Sequence, residues 1–401
     1  MKNFKKTLAL LAALTIVGTA FAACGETDGG SGTTTTPAST TTAGDEETTA
    51  AGGNEGADIK LPTDGDQFTV MSWNDEFPDM VNDYYIKDNP LPSGVEYNKV
   101  AHGVGGGEAS AKYDTYFLSG EDIDIYCLEA DFALKFLEGQ DSAPLSDVGL
   151  TEADFADNYG YTLEIGKVGS DLKAVSFQAA PGGWAYRTDL AESLLGVKTP
   201  EEMQAKVKDW ATFKETAAEV AEASGKKTAM TATLGGMWQT FSSARKDGWI
   251  TGDMQLNVTD DVTNFMEMAK EYHDNKWATD LGQWSDEWNA FGKSDITLGA
   301  FASTWGVKDT GTPEDAANGF LTNAAGKETE SYGKWALVEG PQSYFWGGTW
   351  LAVSPNSDNA DLVKATLEYF CKDAASMKKY AEATGDFVNN KKVMDELVAA
   401  K

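Results

Sequence analysis

The sequence predicts an α/β protein of two lobes or two domains, and three observations carry that reading. Short apolar–polar alternations recur between stretches of helical period. Through the N-terminal half these strand and helix patterns take turns, the order expected of parallel βαβ units. The chain has 401 residues with 41% hydrophobic and 11% aromatic content, enough to bury more than one core.

Residues 67–73 alternate and read as the first strand. Residues 74–77 are expected as a loop, after which Pro78 suits the first turn of a helix reaching about Ile86. A second strand at 95–100, a helix at 109–118, a third strand at 123–128 and a helix within 131–137 follow. A second region begins after 174–178. Thr199-Pro200 opens a helical stretch, and 210–224 places Phe213, Ala217, Val220 and Ala221 at helical spacing, a pattern repeated over 262–273. Residues 351–353 form a short strand, and 360–370 a helix with Leu362, Val363, Thr366, Leu367 and Phe370 on one side. In parallel sheets ligands collect at the carboxyl ends of strands. Those ends are 73–77, 102–107 and 129–132.

A leader precedes the folded part. Lys2, Lys5 and Lys6 stand before an apolar run at 8–17, and small residues lead to Phe21-Ala22-Ala23-Cys24-Gly25. A positive start, an apolar centre and a small-residue cleavage site make a secretory signal. The run is short for a spanning helix. Ala22-Ala23-Cys24 resembles the lipobox of bacterial lipoproteins, which implies removal of 1–23 and a lipid on Cys24. An uncleaved anchor, or an ordinary signal with an incidental cysteine, is the competing reading. Residues 24–60 are rich in Gly, Thr, Ser and acids, bury nothing, and read as a disordered linker.

Composition removes several functions. The formal net charge of −31 leaves nothing to neutralise phosphates, so no nucleic-acid partner is expected. Besides Cys24 only Cys127 and Cys371 remain, read as two buried thiols or one bridge, and never a disulfide framework. His102 and His273 are the only histidines, and no H-E-x-x-H, G-x-S-x-G or Walker loop is present. No metal, cofactor or catalytic residue is expected, and His273 reads as a surface residue. A carboxylate-pair glycosidase is the alternative from another class, because two acids close in space leave no local signature.

Specific segments narrow the reading. Gly182-Gly183-Trp184-Ala185-Tyr186-Arg187-Thr188-Asp189-Leu190 resembles the "G-x-x-Y-R-x-D-L" segment of family 1 extracellular solute-binding proteins, the maltose-binding-protein-like receptors of ABC importers. Thr199-Pro200 with Trp210, then Trp288 to Trp305, then Trp346-Gly347-Gly348-Thr349-Trp350, and Gly385-Asp386-Phe387-Val388-Asn389 are similar to later segments of that family, in order. The resemblance implies a periplasmic-binding-protein-like type II fold, two α/β lobes joined by hinge crossings with a ligand cleft between them. Lobe 1 would hold 61–178 plus 347–388, and lobe 2 would hold 179–346 plus 389–401. Family members continue past the last of these segments, so the second lobe is expected to be trimmed or the sequence truncated.

The implied function is a monomeric, lipid-anchored receptor on the extracellular face. It would capture a sugar, with an oligosaccharide preferred, and deliver it to ABC permease subunits. A non-sugar solute such as a polyamine is the other alternative. Sugars present apolar C–H faces and hydroxyl edges, so their sites want aromatic platforms bordered by acids. The expected platforms are Trp184, Trp305 and Trp346, Trp73 at the end of the first strand is also expected to bind the ligand, and the expected acceptors are Asp75, Glu76, Asp131 and Asp386. Trp210, Trp277 and Trp335 are read as packing, and Trp238, Trp284 and Trp288 stay open between the two roles. Gly103 to Gly107 departs from a dinucleotide fingerprint and reads as a loop near the cleft.

Overall fold

The computed structural model describes residues 58–400 except 104–105, 283–284, 307–330 and 332. Leader, Cys24 and most of the linker, together with Trp284, lie outside the described residues. The strands run in chain order as β1 (Gln67–Ser72), β2 (Glu96–Ala101), β3 (Ile125–Glu129), β4 (Lys167–Val168), β5 (Asp171–Leu172) and β6 (Ala174–Ser176), followed by β7 (Gly182–Arg187), β8 (Ala229–Thr231), β9 (Thr297–Ser303), β10 (Trp335–Val338) and β11 (Thr349–Val353).

Two sheets define two lobes. The first has the order β2-β1-β3-β11-β6, with β1 parallel to β2 and β3, and β11 antiparallel to β3 and β6. Ile125 to Leu128 are all buried because helices cover both faces of this central strand. The second sheet has the order β10-β7-β9-β8. Each lobe keeps its own core. Phe68, Phe77, Cys127, Phe177, Leu351 and Cys371 pack on one face of the first sheet, and Tyr113, Tyr126, Phe136 and Trp350 on the other. Trp184, Tyr186, Phe213, Tyr272 and Phe301 fill the main core of the second. Cys127 and Cys371 are free buried thiols, as one of the two readings had it.

Several boundaries differ from the sequence reading. The first helix starts at Glu76, ahead of Pro78, and runs through Met80 into a wider turn over Val81–Ile86. The Asn74 side chain explains the earlier start, since its Oδ1 accepts the Glu76 N–H at 3.2 Å. The third strand starts at Ile125. Asp124 before it is buried and accepts from the Thr69 N–H at 2.8 Å and the Ser357 hydroxyl at 2.5 Å.

The tail is a correction. Residues 389–400 belong to lobe 1. Val388 and Val393 sit in the first core. The Asn389 N–H donates to the Phe177 carbonyl at 2.9 Å and its side-chain amide to the Ser176 carbonyl at 2.8 Å, while the Lys391 N–H reaches the Asp157 carbonyl at 2.9 Å. A buried asparagine that satisfies two lobe 1 carbonyls fixes where the last helix, Lys391–Ala399, docks.

Candidate functional site

Parallel β1, β2, β3 and β6 all end at one edge of the first sheet, and β11 begins there. Both lobe crossings leave from that edge, one after Ser176 and the other before Thr349. The crossings pair with each other. The Gly182 N–H donates to the Tyr344 carbonyl at 2.9 Å, and the Trp346 N–H to the Ala180 carbonyl at 3.1 Å. Phe387 adds a third segment beside them, its carbonyl accepting the Ala179 N–H at 3.1 Å. Tyr161 braces this floor, stacked on Phe345 at 5.2 Å and donating its hydroxyl proton to the Ala179 carbonyl.

Gly347 and Gly348 hold φ of 73° and 103°, conformations a side chain disfavours. A Cβ on Gly347 would stand 3.2 Å from Trp305 Nε1 and 3.8 Å from Glu129 Oε1. A lobe 1 carboxyl, a lobe 2 indole and a hinge glycine therefore meet at one point. Trp305 follows β9 and donates its Nε1–H to the Trp346 carbonyl at 2.7 Å, with the two rings edge-to-face at 5.3 Å. Glu129 ends β3, and its Oε2 accepts the Asp131 N–H at 2.9 Å. Burial, and after it the Asp131 charge, push the Glu129 carboxyl up. Burial also raises Asp131. Among the described residues neither carboxyl has a cation within 4.0 Å.

The structure sorts the expected residues. Trp73 stands at the end of β1, half-buried and edge-on to Phe132 at 6.2 Å, on the same rim as Glu129 and Asp131. Glu76 opens the first helix beside that rim. Trp305 stands against the second crossing and Asp131 on the lobe 1 rim. Four others require correction. Trp184 is 0% exposed, stacked on Tyr186 and edge-on to Phe213 inside the lobe 2 core, so it has no face for a ligand. Trp346 is buried and supports Trp305 instead of forming an open platform. Asp386 is 2% exposed and accepts from the Phe387 N–H at 2.8 Å, the Tyr380 hydroxyl at 3.2 Å and the Gln178 amide at 3.4 Å. It fastens the crossing. Asp75 is exposed but paired with Lys99 at 2.5 Å.

Of the open tryptophans, Trp288 is buried and Trp238 half-buried. Trp210, Trp277 and Trp335 pack as expected. The "Y-R-x-D-L" segment is structural, since buried Arg187 grips Asp189 at 2.8 and 2.9 Å and reaches Asp295 at 3.1 Å. His273 is exposed beside Asp274. Sequence reasoning missed Glu129, Tyr161 and Phe345. Glu129 was visible as the first charge after an apolar strand.

Two α/β lobes joined by paired crossings give the expected two-lobed, periplasmic-binding-protein-like fold. The chain belongs to the bacterial extracellular solute-binding protein family, whose model matches residues 96–401. Proteins of this family bind solutes outside the cytoplasm and are not enzymes, which removes the glycosidase alternative. No curated protein matches the chain in sequence. Similar solved structures include a family 1 extracellular solute-binding protein at 16% identity, covering 81% of this chain and 79% of that one, with a TM-score of 0.66. The GacH receptor of Streptomyces glaucescens, solved unliganded and with acarbose, is 19% identical over 82% and 81%, with a TM-score of 0.59. Maltose-bound T. maritima MalE3 is 15% identical over 82% of each chain, with a TM-score of 0.60. Among the described residues no helix is long and apolar enough to cross a membrane, and no group of acids, His and Cys could hold a metal ion.

Proposed function

We propose that the protein captures a carbohydrate, with an oligosaccharide preferred, by closing its lobes and presents it to an ABC importer from a lipid anchor on Cys24. The observation that carries this reading is the meeting of Glu129, Trp305 and Gly347 at the hinge. An indole offers a surface for sugar C–H faces, and the carboxyls of Glu129 and Asp131 suit hydroxyls. Trp73 and Phe132 add apolar surface on the lobe 1 rim. Sugar ligands in the similar structures GacH and MalE3 support the same class.

A sugar that touches both lobes gains contacts present only in the closed form, so binding draws the population there. Import demands release, and an affinity of about −7 to −10 kcal/mol, micromolar or somewhat tighter, suits both needs. Calorimetric titration with a panel of mono- and oligosaccharides, polyamines and peptides tests the class. Binding confined to polyamines, which the uncompensated Glu129 and Asp131 carboxyls would attract, would replace the sugar reading. Mass analysis of membrane-extracted protein, with Cys24→Ala released to the medium, tests the anchor.

A further inference from the structure

We propose that Glu129 contacts the ligand as a carboxylic acid, donating a hydrogen bond to an uncharged acceptor oxygen. This rests on the carbohydrate-cleft reading and assigns one residue within it a chemical form.

The fold itself shows how it supplies a carboxylate with partners when water is scarce. Asp124 receives the Thr69 N–H and the Ser357 hydroxyl, with the Asn359 amide 3.4 Å away. Asp386 receives a backbone N–H, a phenol and an amide. Asp189 receives both arms of Arg187. Glu129 has no side-chain donor among the described residues. Only backbone N–H groups of its own turn reach it, that of Asp131 at 2.9 Å on Oε2 and that of Ala130. Oε1 instead points toward the hinge, where it lies 3.8 Å from the place a Gly347 side chain would begin.

The elements packed around Glu129 bring little charge to balance it. The hinge supplies Gly347 and Thr349, its β11 partner, and lobe 2 supplies Trp305 beyond Gly347. Its own turn supplies Asp131, whose like charge acts on it and is its one electrostatic neighbour among the described residues. A half-buried, desolvated carboxylate beside a second carboxylate, with no cation on it among the described residues, is driven toward its protonated form. The Glu129 carboxyl is accordingly raised to about 8. A neutral carboxyl has an O–H to donate. It favours the ring, glycosidic or hydroxyl oxygen of a neutral saccharide over an ammonium group, which needs an acceptor.

The test combines infrared spectroscopy of the free protein with calorimetry of the tightest-binding saccharide of the panel. Wild type minus Glu129→Gln at pH 6.5 is expected to show a protonated-carboxyl stretch that disappears above about pH 9. Glu129→Gln, which keeps a neutral donor, should bind within about threefold of wild type at pH 6.5, whereas Glu129→Ala should lose about tenfold or more. Wild-type affinity should fall by up to about tenfold per pH unit above pH 8, and Glu129→Gln should not share that fall. No carboxyl band at pH 6.5, or equal affinity for Glu129→Ala and wild type, would overturn the proposal. Lack of binding by every saccharide with the band intact would instead overturn the carbohydrate reading and leave the neutral carboxyl standing.

Discussion

Trp184→Ala separates a core tryptophan from a ligand platform. The indole is fully buried, lies parallel to Tyr186 at 5.8 Å and meets the edge of Phe213 at 5.4 Å. Its Nε1–H has no acceptor, so truncation forfeits packing and no hydrogen bond. Removing a buried tryptophan costs about 3–5 kcal/mol. The upper half of that range is expected, because Gly299 and Gly340 flank the ring and have no side chains to collapse into the cavity. Trp184→Phe should cost less, under about 2 kcal/mol, since it also deletes an N–H whose burial alone costs about 1–3 kcal/mol. Urea unfolding followed by circular dichroism measures the loss, and calorimetry measures ligand affinity of the folded protein. The expected result is a large stability loss for Ala, a small one for Phe, and affinity within about threefold of wild type for both. A Trp184→Ala protein as stable as wild type but tenfold weaker in binding would refute the core assignment.

Trp305→Ala should do the reverse. Loss of the stacking surface should weaken sugar binding at least tenfold, about 1.4 kcal/mol, while the unfolding midpoint moves little, as calorimetry and urea unfolding would show. Asp124→Asn should change the pH dependence of stability. Burial raises Asp124 to about 6, above its unfolded value, so its contribution is fullest below pH 4 and declines as pH rises through 6. That decline, on the order of 2–3 kcal/mol, should be missing from the variant when urea midpoints are compared between pH 4 and 7. Arg187→Ala should cost about 1.5–3 kcal/mol, because it strips charged hydrogen bonds from a buried guanidinium site, and a Tm shift would register it. Burial opposes ionisation of Asp189, yet Arg187 outweighs it and holds that carboxyl below its ordinary value. The loss in Arg187→Ala should therefore shrink as pH falls below the carboxylate range.

Much of lobe 1 was legible because its strands carry clear signals. Gln67–Ser72 alternates, and Ile125–Leu128 is apolar through its length, as a doubly covered strand must be. Lobe 2 was harder to read. In β9 all seven residues, Thr297–Ser303, are buried, and its glycine, alanines and polar ends show neither period. The motif in β7 pointed to Trp184 without revealing its side of the sheet. Yet Trp184 and Tyr186 face one core while Ala185 faces the other, a large–small alternation that was available in the sequence. Asp386 was not legible, because its donors Gln178 and Tyr380 come from elsewhere in the chain or a preceding helix. Glu129 was visible as the first charge after an apolar strand, but among 63 acidic residues that place in the sequence did not single it out. What distinguishes it is that no cation among the described residues meets it at the end of a buried strand, a property of three-dimensional neighbours.

On the proposed function, the hinge gives a reason why modest contacts would move whole lobes. Each apolar cluster draws its buried members from one side of the crossings or from the crossings themselves, so rotation there need not open a core. The crossings carry the backbone freedom such rotation needs. Gly347 and Gly348 occupy positive φ at little cost, while Ala180, buried beside them, holds φ of 46°. An alanine there stores about 1 kcal/mol that another arrangement could release. A difference that small between lobe arrangements is matched by one or two net hydrogen bonds of about 1 kcal/mol each. On the proposed function, ligand contacts at Glu129 and Trp305, which already border the same glycine, would act where the least energy decides the position of the lobes.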